Sequence, residues 1–272
     1  MFDEIRSNIF PAAHKFIADW ASVPWHTYAH RPHSSQALAF SVFGTISESS
    51  VRDEVFTRIA ARAGLSDSGP WSVLLEWQDA TNQLREPRPT QVDAVVVSEN
   101  SILLFECKFT EPGGQCSQVK QDSRKRTACN TRYEMQINTQ NGISARCALS
   151  GKGVRYWEII PEVYGIDAGI DHVPCPFAFD NYQWMRNSLL AHSLHNSTGK
   201  SVRLFVVFCD VPGLPTADKV RGGGVGLATV SEETLVRPVS YQDILEIAAE
   251  IQPSPVWGEF EHWMLSRVPS RP

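Results

Sequence analysis

The chain has 272 residues, enough for one sizeable core or two small ones, and its 42% hydrophobic and 20% charged content is ordinary for a soluble globular protein. No apolar run approaches the roughly 20 residues of a membrane span. The opening MFDEIRSNIF carries acids where a signal peptide would carry basic and then apolar residues, so no membrane association is expected and the cytoplasm is the expected location, with six reduced cysteines. A net charge of −5 excludes a uniformly basic nucleic-acid binder, but the average hides an asymmetry. Residues 117–155 hold eight basic residues and two acids, a local +6 that leaves −11 for the rest. That segment includes Lys120, Arg124, Lys125 and Arg126, which suit a polyanion or, equally, a solvated loop.

Taken in chain order, residues 1–30 carry an amphipathic pattern (Ile5, Ile9, Phe10, Phe16, Ile17, Trp20) that predicts a helix pair with Pro11 near its boundary. His26, His30 and His33 follow at a spacing that fits no standard metal site and read as loop residues. Ser34-Ser35 caps a helix through QALAFSVFG with Gly44 as its stop. A second helix is expected from Ser50 to Ala63, with Ser49 or Ser50 as cap and Asp53-Glu54 in its first turn. Residues 71–78, WSVLLEWQ, read as a strand with Glu76 as the one charged side chain, and residues 79–89 as a polar loop.

The next stretch, Thr90 to Glu111, organises the chain. Apolar runs Ala94–Val97 and Ile102–Phe105 flank the polar break Ser98-Glu99-Asn100-Ser101, the pattern of two strands and a tight turn. Side chains alternate along a strand, so Glu106 and Lys108 share a face and Cys107 points the other way. In register, Asp93 stands beside Glu106. Two carboxylates and an ammonium then meet at the end of an apolar sheet, where ionised groups lose hydration and need partners. Such an oxygen pair suits Mg2+, and a lysine beside it can orient a water or offset charge on a phosphate. The plainer alternative is a surface hairpin with a Lys–Glu pair.

Beyond it, Pro112-Gly113-Gly114 breaks the chain, and Cys116, Cys129, Cys147 and Cys175 follow at gaps of 12, 17 and 27 residues. Structural zinc sites pair their ligands at short spacing, so these cysteines read as separate thiols, with a zinc or iron–sulfur site as the less favoured alternative. Cys107 and Cys209 sit in strand patterns as small core residues. Residues 154–160 are short and mixed, and residues 161–176 look like a loop. A helix is expected over Phe177–His195 with Asp180 as cap, and Tyr182, Gln183, Arg186 and Asn187 near its start. Residues 202–209, VRLFVVFC, are apolar on both faces and predict a central or parallel strand. Arg221–Gly226 lacks the residues of a phosphate loop and reads as a flexible turn. Ser240 and Asp243 form a capping box for a helix through Ile251, and a last helix is expected over Trp257–Val268.

The spacing Asp93-x12-Glu106-Cys107-Lys108 resembles the active-site signature of the PD-(D/E)XK nuclease superfamily, the restriction-endonuclease-like fold. More narrowly, the chain is similar to a bacterial family of poorly characterised restriction-endonuclease-like proteins. The similarity runs through Ser34–Phe40, Asp93, Glu106–Glu111 and Tyr182-Gln183-x2-Arg186-Asn187, with Val92 where the superfamily pattern has proline. The resemblance implies an α/β fold with an α-β-β-β-α-β core, a mixed central sheet flanked by helices. It implies one domain over residues 1–272, with N-terminal helical, mid-chain (112–176) and C-terminal helical additions. The implied activity is Mg2+- or Mn2+-dependent hydrolysis of phosphodiester bonds, that of a DNA endonuclease. A non-catalytic nucleic-acid-binding or interaction module on the same fold is the alternative. Asp93, Glu106 and the Cys107 carbonyl are implied metal ligands, and Lys108 the residue that positions water. Glu76, Glu111, Gln183 and Arg186 form a second tier, while helix capping explains Glu48 and Glu54 as well as a site role does. The expected partner is DNA, with a homodimer or separate protein partners compatible with this class.

Overall fold

The computed structural model describes residues 2–119, 129, 147–166 and 175–269. Lys120, Arg124, Lys125 and Arg126, the expected nucleic-acid contacts, lie outside these residues.

The hairpin forms where the polar break places it. Strand β2, Gln91–Val97, pairs antiparallel with β3, Ser101–Lys108, through Ala94↔Phe105, Val95↔Leu104, Val96↔Leu103 and Val97↔Ile102. The Ser98 hydroxyl accepts the backbone N–H groups of Asn100 (3.2 Å) and Ser101 (2.9 Å), which closes the turn. Strand β1, Ser72–Gln78, adds antiparallel to β2, and β4, Ser201–Phe208, adds parallel to β3. A fifth strand, β5 (Val236–Ser240), runs parallel to β4 and completes the order β1-β2-β3-β4-β5. This is a mixed α/β sheet, and helices cover both faces.

Alternation sorts the strand residues between two apolar layers. Leu103, Phe105, Cys107, Phe205 and Val207 pack toward α2 (Ser35–Ser47), α3 (Arg52–Arg62), α7 (Tyr241–Ile251) and α8 (Pro255–Leu265). Ile102, Leu104, Leu204 and Val206 pack toward α4 (Tyr156–Tyr164) and α5 (Tyr182–Thr198). Phe105 and Phe205 stack with centroids 5.0 Å apart, and Phe43 of α2 lies 5.0 Å from Phe105. Burying each such ring contributes about 1.5–3 kcal/mol. The small helices α1 (Phe2–Ser7) and α6 (Pro215–Arg221), and the 3-10 helix Pro11–Phe16, complete the elements named here.

Several local expectations are corrected. Gly44 does not stop α2, which runs on to Ser47; a Cβ at Gly44 would stand 2.9 Å from the Ala13 Cβ, so glycine there admits the 3-10 helix against α2. Neither Ser49 nor Ser50 caps α3, whose N-cap is Val51, because the Ser50 hydroxyl donates instead to Gln252 at 2.9 Å. Residues expected as a mixed stretch and loop form α4, with Pro161 inside it and Gly165 left-handed at its end. The N-cap of α5 is Asn181, not Asp180, which pairs with Lys219 at 3.0 Å. Ser240 and Asp243 do form the expected capping box.

Candidate active site

The hairpin register, continued by one residue past Ala94↔Phe105, sets Asp93 beside Glu106 at the carboxyl end of β3. Ligands in open α/β sheets bind outside the carboxyl ends of strands. Two adjacent strands lose their alternation here. In β2, Ala94 and Val96 pack into one layer, yet Val92 packs into the other. In β1, Leu75 packs with the first layer and Trp77 with the second. Between them Glu76 has a left-handed backbone, φ 50°, where a strand residue would be extended. A non-glycine residue there costs on the order of 1 kcal/mol, and such conformations cluster at functional sites.

Glu106 is 2% exposed and fully partnered. Its Oε1 accepts from Lys108 Nζ at 2.8 Å and from the Gln183 side-chain amide; its Oε2 accepts from Asn187 Nδ2 at 2.7 Å. Gln183 and Asn187 stand four residues apart on α5, hence on one helix face. Gln183 Oε1 in turn accepts the Gly114 N–H at 2.9 Å, which gives the Pro-Gly-Gly break a role in holding the amide. Asp93 Oδ2 accepts the Cys107 N–H at 2.7 Å. Glu76 is held by Gln36 Nε2 of α2 at 2.8 Å and by the Gln91 amide, and Gln36 Oε1 accepts the His26 backbone N–H at 2.8 Å.

These surroundings drive neighbouring carboxylates in opposite directions. Burial pushes Glu106 up, but the Lys108 and Arg186 cations and the donors from Lys108 and Asn187 outweigh it and hold the carboxyl below its ordinary value. Burial, then repulsion from Glu106, carries Asp93 well above the usual carboxylate range, and Lys108 offsets this only in part. Burial also raises Glu76 to about 7, against the Gln36 hydrogen bond. Burial disfavours the Lys108 ammonium, yet Glu106 and Asp93 together raise it above its ordinary value, so it stays charged. Glu76 and Asp93 thus each lie in the field of Glu106, and the Lys108 ammonium stands beside Glu106 and Asp93, with Arg186 farther along α5. Hard oxygen donors short of positive charge fit a divalent cation such as Mg2+. Among the described residues no three or more His, Cys, Asp or Glu side chains stand ready-closed around one point, so an ion would complete the set with waters.

The other expected residues fall into place around this centre. Arg186 lies in the field of Glu106 and Glu86, with its Nε buried and without a hydrogen-bond acceptor. Glu111 sits just past β3, its Oε2 accepting the N–H groups of Phe109 (3.3 Å) and Thr110 (3.0 Å), and its charge reaches Lys108. Glu48 is exposed at the end of α2 and Glu54 pairs with Arg58 at 3.0 Å, so neither joins the site. Sequence reasoning missed Gln36, Gln91 and Asn187 as site residues. For Asn187 a signal existed, its place one helical turn after Gln183. Cys116, Cys129, Cys147 and Cys175 are free thiols, as expected, and all four line a separate small cavity.

The fold and this charged strand end define a restriction-endonuclease-like protein. A model of the family described as restriction endonuclease associating with ARP matches residues 4–219, well over half of the chain. The chain belongs to that family. No curated protein and no solved structure matches it.

Proposed function

We propose that the chain is a Mg2+-dependent nuclease of the PD-(D/E)XK type that hydrolyses phosphodiester bonds in DNA as an endonuclease. The observation that carries this reading is the meeting of Asp93, Glu106 and Lys108 at one strand end, with the Lys108 ammonium 2.8 Å from Glu106. Asp93, Glu106 and the Cys107 carbonyl would hold Mg2+ or Mn2+. When bound, such an ion activates water and neutralises charge on the scissile phosphate.

The chain's own residues do the rest. Lys108, kept charged by Glu106 and Asp93, orients the attacking water and stabilises negative charge on the phosphate oxygens. Gln183 and Asn187 fix the Glu106 carboxylate so that it does not rotate away. Arg186 supplies a second cation that faces the phosphate. Glu76, with a carboxyl near neutrality, can hold a proton at physiological pH and suits proton transfer to or from water. Lys120, Arg124, Lys125 and Arg126 are the proposed DNA contacts. The family description pairs the endonuclease with ARP, so an ARP protein is the proposed companion.

Incubation of supercoiled and linear DNA with the protein and Mg2+ or Mn2+ tests the reading. Nicking or linearisation is expected, falling by roughly 10^3-fold or more in Lys108→Ala and Asp93→Ala. Equal cleavage by wild type and Asp93→Ala would sink the assignment. A folded wild type that neither cleaves nor binds divalent metal would instead be a nucleic-acid-binding module.

A further inference from the structure

We propose that Cys116, Cys129, Cys147 and Cys175 form a structural zinc site, a single Zn2+ held by four thiolates behind the N-terminus of α5. Four of the six cysteines line one cavity, between α4, α5 and the segments that precede them, although long stretches of chain separate them. The other two, Cys107 and Cys209, lie at the ends of β3 and β4 in the opposite layer. All six are thiols rather than disulfides.

Backbone hydrogen bonds bring Cys116, Cys129 and Cys175 together independently of the side chains, and Cys147 joins them across the cavity. The Cys129 N–H donates to the Gln118 carbonyl (3.1 Å), and the Cys116 N–H to the Ala178 carbonyl (3.1 Å). Ala178 closes a turn onto Cys175 by donating to its carbonyl at 3.3 Å. Cys116 and Cys147 likewise begin turns, their carbonyls accepting from Val119 (3.2 Å) and Gly151 (3.0 Å). Turns that start on a cysteine point following N–H groups back at its sulfur; burial pushes the Cys116 thiol up to about 11 in the metal-free protein, and the Gln118 N–H aimed at it opposes that rise. Donors aimed at sulfur stabilise a thiolate and serve as the outer support of a metal ligand.

The cavity measures about 30 Å3 and its other walls are mostly apolar, among them Leu149, Ile160, Phe177 and Met185. That volume suits one ion at Zn–S distances of about 2.3 Å. The thiols ring the cavity without closing on a point, so metal binding draws them inward and releases their protons. The consequence reaches the carboxylate site, because Gly114, two residues before Cys116, holds Gln183, and Tyr182 is part of the cavity wall. A metal cross-link there fixes the end of α5 that positions Glu106.

Elemental analysis of the full chain, purified without chelators or added metal, is the test. One zinc per chain is expected, dropping to background in Cys116→Ser and Cys175→Ser and unchanged in Cys209→Ser. Should the first two variants fail to fold, the wild type still decides. A strong chelator should release one zinc, expose four reactive thiols and lower the melting temperature, and added Zn2+ should reverse all three. Cobalt substitution should give the absorption bands of a tetrahedral tetrathiolate. A zinc-free, folded wild type that takes up no Zn2+ would overturn the proposal, and so would iron with acid-labile sulfide. Both results are read from metal content and thiol chemistry, so they are distinguishable from success or failure of cleavage by Asp93, Glu106 and Lys108.

Discussion

Strand β3 contains two regions with equal burial and opposite character. Ile102 to Phe105 are at most 7% exposed, and Glu106 to Lys108 at most 6%. The first half meets apolar side chains on both faces of the sheet. The second half places Glu106 and Lys108 among Asp93, Gln183, Asn187 and Arg186, drawn from β2 and α5. The apolar half stabilises the fold through burial, whereas the charged half opposes folding through desolvation and like-charge repulsion. A chain that retained the second half for stability alone would do better with apolar residues.

Substitutions that separate the two halves follow from this contrast. Phe105→Ala removes a ring that touches Phe43, Phe56 and Phe205 and should lower unfolding free energy by about 3–5 kcal/mol, as measured by denaturant titration. A loss below about 1 kcal/mol would show that the apolar half does not anchor the sheet.

The charged half should reveal itself through pH. The Glu76 carboxyl rises from 4.5 to about 7 on folding, so between those values the native state holds a proton that the unfolded chain has released. Stability in Mg2+-free buffer should therefore be fully present below about pH 4.5, as far as this group is concerned, and fall as pH rises to about 7, by up to roughly 3 kcal/mol. Glu76→Gln should flatten that slope. A slope unchanged in the variant would assign the proton elsewhere.

Asp93→Asn should act with the opposite sign to Phe105→Ala. It relieves a carboxylate disfavoured by burial and by Glu106, while an amide oxygen can still accept the Cys107 N–H, so stability at pH 7 should rise by about 1 kcal/mol as cleavage disappears. Parallel melting and plasmid assays read both; a destabilised variant would mean that Asp93 supports the fold. The smallest effect is expected at Glu54→Ala on α3, an exposed partner of Arg58, with stability within about 0.5 kcal/mol and cleavage unchanged. A large loss of cleavage would return α3 to the site.

The sequence by itself determined the hairpin and the charged groups gathered at its end. Period-two alternation and the turn at Ser98–Ser101 set the register, and the register put Asp93, Glu106 and Lys108 together. It also determined β4, apolar on both faces, and the capping box of α7, because both signals lie within a few residues. Tertiary structure alone decided the rest. Strand β5 is five residues with Pro238 inside, which only an edge position tolerates, and nothing local announces the edge. The reversed alternation at Glu76 and the approach of Gln36 depend on α2 packing against β1, a contact across 40 residues. The four cysteines meet at one cavity through the packing of α4 and α5 and backbone bonds such as Cys116 to Ala178, so their linear spacing carried no sign of it. Short-range periodicity is written in neighbouring residues, whereas the meeting of distant side chains is written only in how the layers pack.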